Sequence, residues 1–266
     1  MPMLILKRHL RLLCLGALLA APAARADSYT DFQQASERLQ AMVAASTSAN
    51  GLPRLRDPGV AALFAQVADG PRLFQAPAAA LQDMDRSVAV CERATNLGKA
   101  YYTFDLQRPL PLSGVELQQA RKEQVTRNLA DYGDEMAALF AFSMHCHAHL
   151  IGLMETEFRA QPAQDVSGAE RLRARAFSKG SGTVFANVVQ FVQVPFWTVA
   201  QKKVMLAAAA QHATANANLM APPLRERLLT SLADADQDLD PALAPALATI
   251  RQALAVTACT GLCQYY

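Results

Sequence analysis

A long run of apolar residues at helical spacing, between about residues 115 and 159, is the feature that most constrains the fold. Its apolar side chains recur every three or four residues, which places them along one side of a helix. Glycine is a poor helix former, so Gly133 within the run predicts a break there. A stripe this long needs other helices to cover it. The stripe consists of Leu129, Tyr132, Met136, Leu139, Phe140, Ser143, Cys146, His147, Leu150 and Met154.

Shorter runs with the same spacing predict further helices along the chain, over about 29–47, 58–68, 78–104, 169–179, 203–220 and 241–258. The sequence is rich in alanine and leucine and has only 12 glycines, which favours helices over strands. Residues 27–266 are long enough for one domain or two small ones. We therefore expect an all-α, single-domain helical bundle of about six to eight helices, stabilised by disulfide bonds.

The first 26 residues have the pattern of a secretory signal peptide. A basic start precedes the apolar stretch 12–21, and Ala-Arg-Ala at 24–26 provides the small residues of a cleavage site. The apolar stretch is shorter than the about 20 residues that span a bilayer, so removal is expected rather than anchoring. The mature chain, 27–266, is therefore predicted to lie in the bacterial periplasm, or outside the cell.

Removal of the signal reverses the sign of the net charge. The full sequence has 25 Lys and Arg against 23 Asp and Glu, a net charge of +2. The signal contains four of the basic residues and none of the acidic ones, so the mature chain has a net charge of −2. Proteins that bind nucleic acid need basic surface to neutralise phosphates, and a nucleic-acid partner is therefore not expected.

Four of the five cysteines remain in the mature chain: Cys91, Cys146, Cys259 and Cys263. An even number in an oxidising compartment predicts two disulfides, although four cysteines allow three connectivities. The pairing Cys91–Cys146 with Cys259–Cys263 is favoured, because the last two lie close together in sequence. The first disulfide would tie the helix at 78–104 to the long helix at 115–159.

Three of the four mature histidines lie within five residues of the long helix. His145 and His149 are one helical turn apart and can face one ion, whereas His147 points to another side. Imidazole is a good ligand for zinc, copper or nickel, so this face is a candidate metal site that lacks a named third ligand. The favoured interpretation is structural, with His147 and Cys146 in the core and the other two histidines packed or at the surface.

No charged residue occurs between Gly180 and Gln201, and the segment is rich in aromatic and β-branched residues. We expect a buried central helix kinked near Pro195, although its β-branched content also permits a strand over 188–194. The alternative is an apolar groove for a ligand, a partner helix or a membrane surface, of which the membrane surface is not favoured. The groove would be lined by Phe185, Phe191, Phe196 and Trp197.

Familiar catalytic motifs are absent from the sequence. It has no HExxH zinc pair, no CxxCH haem motif, no GxSxG nucleophile turn and no Walker phosphate loop. The sequence therefore favours an exported, non-enzymatic binding or interaction module whose partner is another protein or an apolar ligand. The alternatives are a transition-metal-binding protein that uses His145 and His149, and an enzyme of unknown class.

Overall fold

A computed structural model describes residues 28–75, 79–106, 108–109, 111–160, 165–235, 239–255 and 262–265. The predicted signal peptide, residues 1–26, lies outside the described residues. Cys259 of the predicted pair Cys259–Cys263 also lies outside them.

The described residues are helical and contain no strand. They form eleven α-helices, more than the expected six to eight, because the long runs divide and short helices are added. The helices are α1 (Ser28–Ala44), α2 (Val60–Val67), α3 (Gly70–Phe74), α4 (Met84–Tyr102), α5 (Gly114–Asp131), α6 (Gly133–Arg159), α7 (Gly168–Gln190), α8 (Val199–Gln211), α9 (Ala213–Leu219), α10 (Pro222–Ala235) and α11 (Ala244–Ala255).

The predicted break in the long run is confirmed, because α5 ends at Asp131 and α6 begins at Gly133. Gly133 is buried, and a Cβ atom there would lie 2.7 Å from the Gln201 side-chain nitrogen of α8. The absence of a side chain at Gly133 therefore allows the start of α6 to approach α8 closely.

The helix α6 is the centre of the molecule, with α4 and α8 as its most extensive neighbours. By length and composition α6 could cross a membrane, but half of its apolar window is buried inside the protein. The core helix of a globular protein can have the same length and composition. The helices that pack around α6 give it the surroundings of such a core helix.

The uncharged segment 180–201 is not one kinked helix. The helix α7 ends at Gln190, a short 3₁₀ turn covers Phe191–Gln193, and α8 begins only at Val199. The predicted kink near Pro195 is therefore a complete interruption, since proline has no N–H for a helical hydrogen bond. The Thr198 hydroxyl then starts α8 by accepting a hydrogen bond from Gln201 N, while the Gln201 side chain accepts one from Thr198 N.

One cluster of buried apolar residues extends from α1 through α4, α6 and α8 to α11. A second, smaller cluster lies where the carboxyl-terminal half of α6 meets α7, α9 and Leu262. The single-domain organisation stays a prediction, although both clusters share α6 as their common support.

Candidate functional site

The run from Met144 to His149 lies near the middle of α6, where α3, α4, α7 and α9 all approach. His147 points away from His145 and His149, which lie one turn apart on the same side of the helix but meet different neighbouring segments. Each histidine consequently has its own hydrogen-bond partner.

His145 is buried against α3 and contacts His212, which lies between α8 and α9. The His145 Nδ1 and His212 Nε2 atoms are 2.8 Å apart, and the two rings are nearly perpendicular, at 86°. A Cβ atom on Gly70 would lie 2.5 Å from His145 side-chain carbons. The α3 backbone therefore holds one side of the His145 ring, and His212 meets its Nδ1 edge.

His149 lies one turn from His145 but makes different contacts. Its Nε2 is 2.9 Å from the Leu81 carbonyl oxygen and 3.2 Å from Ser87 Oγ, and its ring stacks on Phe74. A carbonyl oxygen can only accept a hydrogen bond, so Nε2 carries the proton and donates it. That nitrogen has no free lone pair for a metal ion in this arrangement.

His147 faces α7, where its Nδ1 lies 3.1 Å from Ser181 Oγ. Burial lowers the pKa of His147 to about 4, so the imidazole is neutral at neutral pH. A serine beside a neutral histidine combines a nucleophile with a base. Ser181, however, is only 1% exposed in the middle of α7, and no substrate carbonyl can reach its hydroxyl.

Two buried polar atoms lie on the helices that pack near this pair. Ser178 Oγ on α7 and Asn216 Oδ1 on α9 have no hydrogen-bond partner among the described residues. Unpartnered buried atoms are uncommon in folded proteins, and an ordered water is one way in which such atoms are satisfied.

Burial also lowers the pKa values of the other histidines. For His145 the charge of Asp69 opposes the effect of burial, and for His149 the hydrogen bond to Leu81 does so. The pKa of His212 falls to about 4 because burial and the nearby His145 both disfavour its charged form. The His145–His212 pair is therefore neutral at neutral pH.

The predicted disulfide Cys91–Cys146 is confirmed between α4 and α6, with the two Cα atoms 5.6 Å apart. Both cysteines are buried. Their sulfurs are bonded to each other and are not metal ligands. Among the described residues, no three His, Cys, Asp or Glu side chains converge as a set of metal ligands, and the metal site stays a prediction.

The four residues of the predicted apolar groove are not equally accessible. Phe185 and Trp197 are buried in the core, and the Trp197 indole N–H donates to the Leu129 carbonyl oxygen at 2.9 Å. Phe191 is half-buried and packs on Phe140 and Trp197, whereas Phe196 is 37% exposed. A groove at this place stays a prediction, and it would be bounded mainly by Phe191 and Phe196.

An open groove lies elsewhere, between the carboxyl-terminal ends of α1 and α4. This end groove has a volume of about 470 Å³. Its lining consists of Val43, Ser46, Thr47, Ser48, Leu52, Ala100, Thr103, Phe104, Asp105 and Arg108. Ser48 Oγ donates to Asp105 Oδ1 at 2.8 Å, and Asp105 has a φ of 60°, an uncommon conformation for a residue other than glycine.

Three hydrogen bonds from buried side chains hold residues 52–55, the segment that includes the groove residue Leu52. Tyr132 Oη accepts from Leu52 N, Tyr101 Oη donates to Pro53 O, and a Glu135 carboxylate oxygen accepts from Leu55 N. Burial raises the pKa of Glu135 and that of Tyr101. The floor of the end groove at Leu52 is therefore held by buried polar groups.

Sequence reasoning missed two features of these sites. The sequence predicts one helix over 203–220 that contains His212, but His212 lies at the interruption between α8 and α9. The signal was its imidazole, the fourth in the mature chain, within an alanine-rich run. The end groove had no sequence signal, because its lining comes from two separate segments, 43–52 and 100–108.

No protein-family model, no curated protein and no solved structure matches this chain.

Proposed function

We propose that residues 27–266 form a single-domain exported protein that acts by binding a small amphipathic ligand in the end groove, without catalysis. Export is supported by the Cys91–Cys146 disulfide, since such bonds persist in oxidising compartments. It is also supported by the signal-like pattern of residues 1–26.

The observation that carries the ligand proposal is the volume and lining of the end groove. Its volume of about 470 Å³ is within the range of small-molecule sites. Val43, Leu52, Ala100 and Phe104 provide apolar surface, and hydroxyl and charged groups complete the lining. Apolar and polar residues contribute about equally to the lining, and such a surface suits a molecule that has an apolar body and a polar head.

The groove lining contains one carboxylate, that of Asp105, and one guanidinium, that of Arg108, and we infer that the polar head of the ligand is an anion that meets Arg108. Asp105 is already engaged by the Ser48 hydroxyl. Arg108 is exposed at the lining, and its guanidinium can form two parallel hydrogen bonds with a carboxylate. An aliphatic carboxylate is therefore the ligand class that we infer.

Ligand binding is tested with decanoate as the probe and isothermal titration calorimetry of the mature, disulfide-bonded protein. Ala100→Trp fills the groove and is expected to abolish binding. Arg108→Gln removes the guanidinium and is expected to weaken binding about tenfold, the size of one charge-assisted hydrogen bond.

The matched control is Ala89→Trp, which adds the same side chain to an exposed position of α4. It is expected to bind decanoate as the unmodified protein does. The proposal fails if the unmodified protein does not bind decanoate, or if Ala100→Trp binds it normally.

Export is tested on protein recovered from the periplasmic fraction of cells that express the full sequence. The amino terminus is expected at Asp27. Unreduced protein is expected to show no alkylatable thiol, as two disulfides require. Protein that begins at Met1 with four or more reactive thiols would contradict export.

A further inference from the structure

We propose that the contact between His145 and His212 is an acid-sensitive latch. It joins α6 to the junction of α8 and α9 while at least one of the two imidazoles is neutral, and it releases that junction when both are protonated. The latch is separate from the end groove and does not depend on the ligand proposed there.

The two rings need one neutral imidazole to stay in contact. His145 Nδ1 and His212 Nε2 are 2.8 Å apart, a hydrogen bond with one proton between the two nitrogens. A neutral imidazole has one donor and one acceptor, whereas an imidazolium has two donors and no acceptor. One added proton can bind a ring nitrogen outside this bond and leave the bond intact. A second makes both rings donors, so the bond is lost and two like charges face each other.

The backbone of α3 limits the space into which the His145 ring could turn. His145 is 8% exposed, and a Cβ atom on Gly70 would lie 2.5 Å from its side-chain carbons. His212 lies between the end of α8 and the start of α9, with φ of −112° and ψ of 12°, outside regular helical geometry. The contact therefore joins the continuous helix α6 to a break between two helices.

The latch lies where the packing against α6 weakens. The helix α8 packs extensively along α6, whereas α9 contacts α6 only slightly. Asn216 Nδ2 donates to the His212 carbonyl oxygen at 3.0 Å, but this bond lies within the junction and does not reach α6. Loss of the His145–His212 bond is therefore expected to loosen the junction first.

On the α3 side of the pair, one carboxylate acts on His145. Asp69, which precedes α3, favours the charged form of His145. Arg72 of α3 is engaged in an ion pair with Asp31, at 2.5 Å. Asp69 can therefore offset one positive charge on the pair.

The helices on the His212 side bring no second carboxylate. The ionisable residues of α8 are Lys202 and Lys203, at least two turns before His212, and α9 has none. The ionisable residue of α11 is Arg251, which donates to the Leu232 carbonyl oxygen. A second positive charge on the pair therefore has no counter-charge from these helices.

The pH at which the latch opens follows from the burial of the pair. Burial lowers the pKa of both histidines, and a charged His145 further lowers that of His212, to about 4. Histidines of an unfolded chain have a pKa near 6.5, so between about pH 6.5 and pH 4 the open state binds more protons than the closed one. The stability of the contact is therefore complete above about pH 6.5 and falls with the pH until it is lost near pH 4.

The test measures backbone hydrogen–deuterium exchange of residues 209–216 in the mature, disulfide-bonded protein at about pH 7 and about pH 4. After correction for the intrinsic effect of pH, exchange is expected to be at least about tenfold faster at the lower pH, since one pH unit of difference in pKa changes an equilibrium tenfold. His212→Gln keeps an uncharged hydrogen-bonding side chain beside His145 and is expected to remove this difference.

The matched control is His149→Gln, one turn from His145, whose side-chain amide can still donate to the Leu81 carbonyl oxygen. It is expected to keep the acid response. Equal protection of the junction at both pH values in the unmodified protein overturns the latch. A folded His212→Gln variant that retains the acid response also overturns it.

An NMR titration of the imidazole signals of the unmodified protein gives a second measurement that needs no variant. The last protonation step of the pair is expected near pH 4, together with the loss of protection at the junction. Titration of both rings near pH 6.5, the value of an exposed histidine, while the junction stays protected would contradict the latch.

Discussion

At the residue scale, several side chains lie where the helical pattern places them but have partners that the pattern does not indicate. His147 and Cys146 lie within the body of the protein, as the structural alternative predicts. Their partners Ser181 and Cys91 belong to α7 and α4, and only the Cys91 pairing was predicted. Burial follows from periodicity, whereas partners depend on which helices are neighbours.

Gly70 is the residue whose replacement should disturb the histidine pair most directly. Gly70→Ala would bring a methyl group to 2.5 Å from three His145 side-chain carbons. We expect a loss of about 1–3 kcal/mol in the free energy of unfolding, as for other overpacked sites. Urea denaturation monitored by circular dichroism measures this change.

The control for Gly70 is Gly152→Ala on the exposed side of α6. A Cβ atom at Gly152 would have no neighbour within 4 Å. Alanine is the better helix former, so this variant should gain up to about 1 kcal/mol. Equal stability changes in the two variants would mean that Gly70 does not pack against His145 as described.

At the element scale, sequence periodicity located helices more reliably than it located their ends. The helices at 29–47 and 78–104 are found as α1 and α4, with shorter limits. The helix expected over 58–68 begins only at Val60 as α2, and the Asp57 carboxylate accepts from Arg54 N. Helix ends depend on single hydrogen bonds, and several residue types compete for them.

Trp197 closes the carboxyl-terminal end of α5 by donating to the Leu129 carbonyl oxygen. Trp197→Phe should retain much of the ring packing but leave that carbonyl without its donor. The expected loss is about 1–3 kcal/mol in the free energy of unfolding, the cost of an unsatisfied buried acceptor.

Phe196→Leu is the comparison for this variant, because the neighbouring ring is 37% exposed and should contribute less than about 0.5 kcal/mol. Urea denaturation of both variants gives the difference. A Trp197→Phe protein as stable as the unmodified one would show that the indole hydrogen bond does not stabilise the end of α5.

At the scale of the whole molecule, the Cys91–Cys146 disulfide joins two helices that already pack extensively. It closes a loop with a sequence separation of 55. The chain-entropy model gives about 4 kcal/mol for a loop of this length. Removing the bond with Cys91→Ala and Cys146→Ala should therefore lower the free energy of unfolding by up to that amount.

Because α4 and α6 pack extensively without the disulfide, we expect this double variant to fold. Its helical circular dichroism signal at room temperature should match that of the unmodified protein, since buried apolar surface supplies most of the stability of a chain this size. The denaturation midpoint in urea should be lower. An unchanged midpoint would show that the loop is already constrained without the bond.

The sequence by itself determined the helical class and the break at Gly133, and it favoured the pairing of Cys91 with Cys146 among three possible connectivities. These follow from local spacing and from the number of cysteines, and neither requires knowledge of the chain's path. Only the tertiary structure decided that His145 meets His212, that His149 is bound to Leu81, and that the end groove exists. Each of these joins side chains from helices distant in sequence, so helix packing decides them.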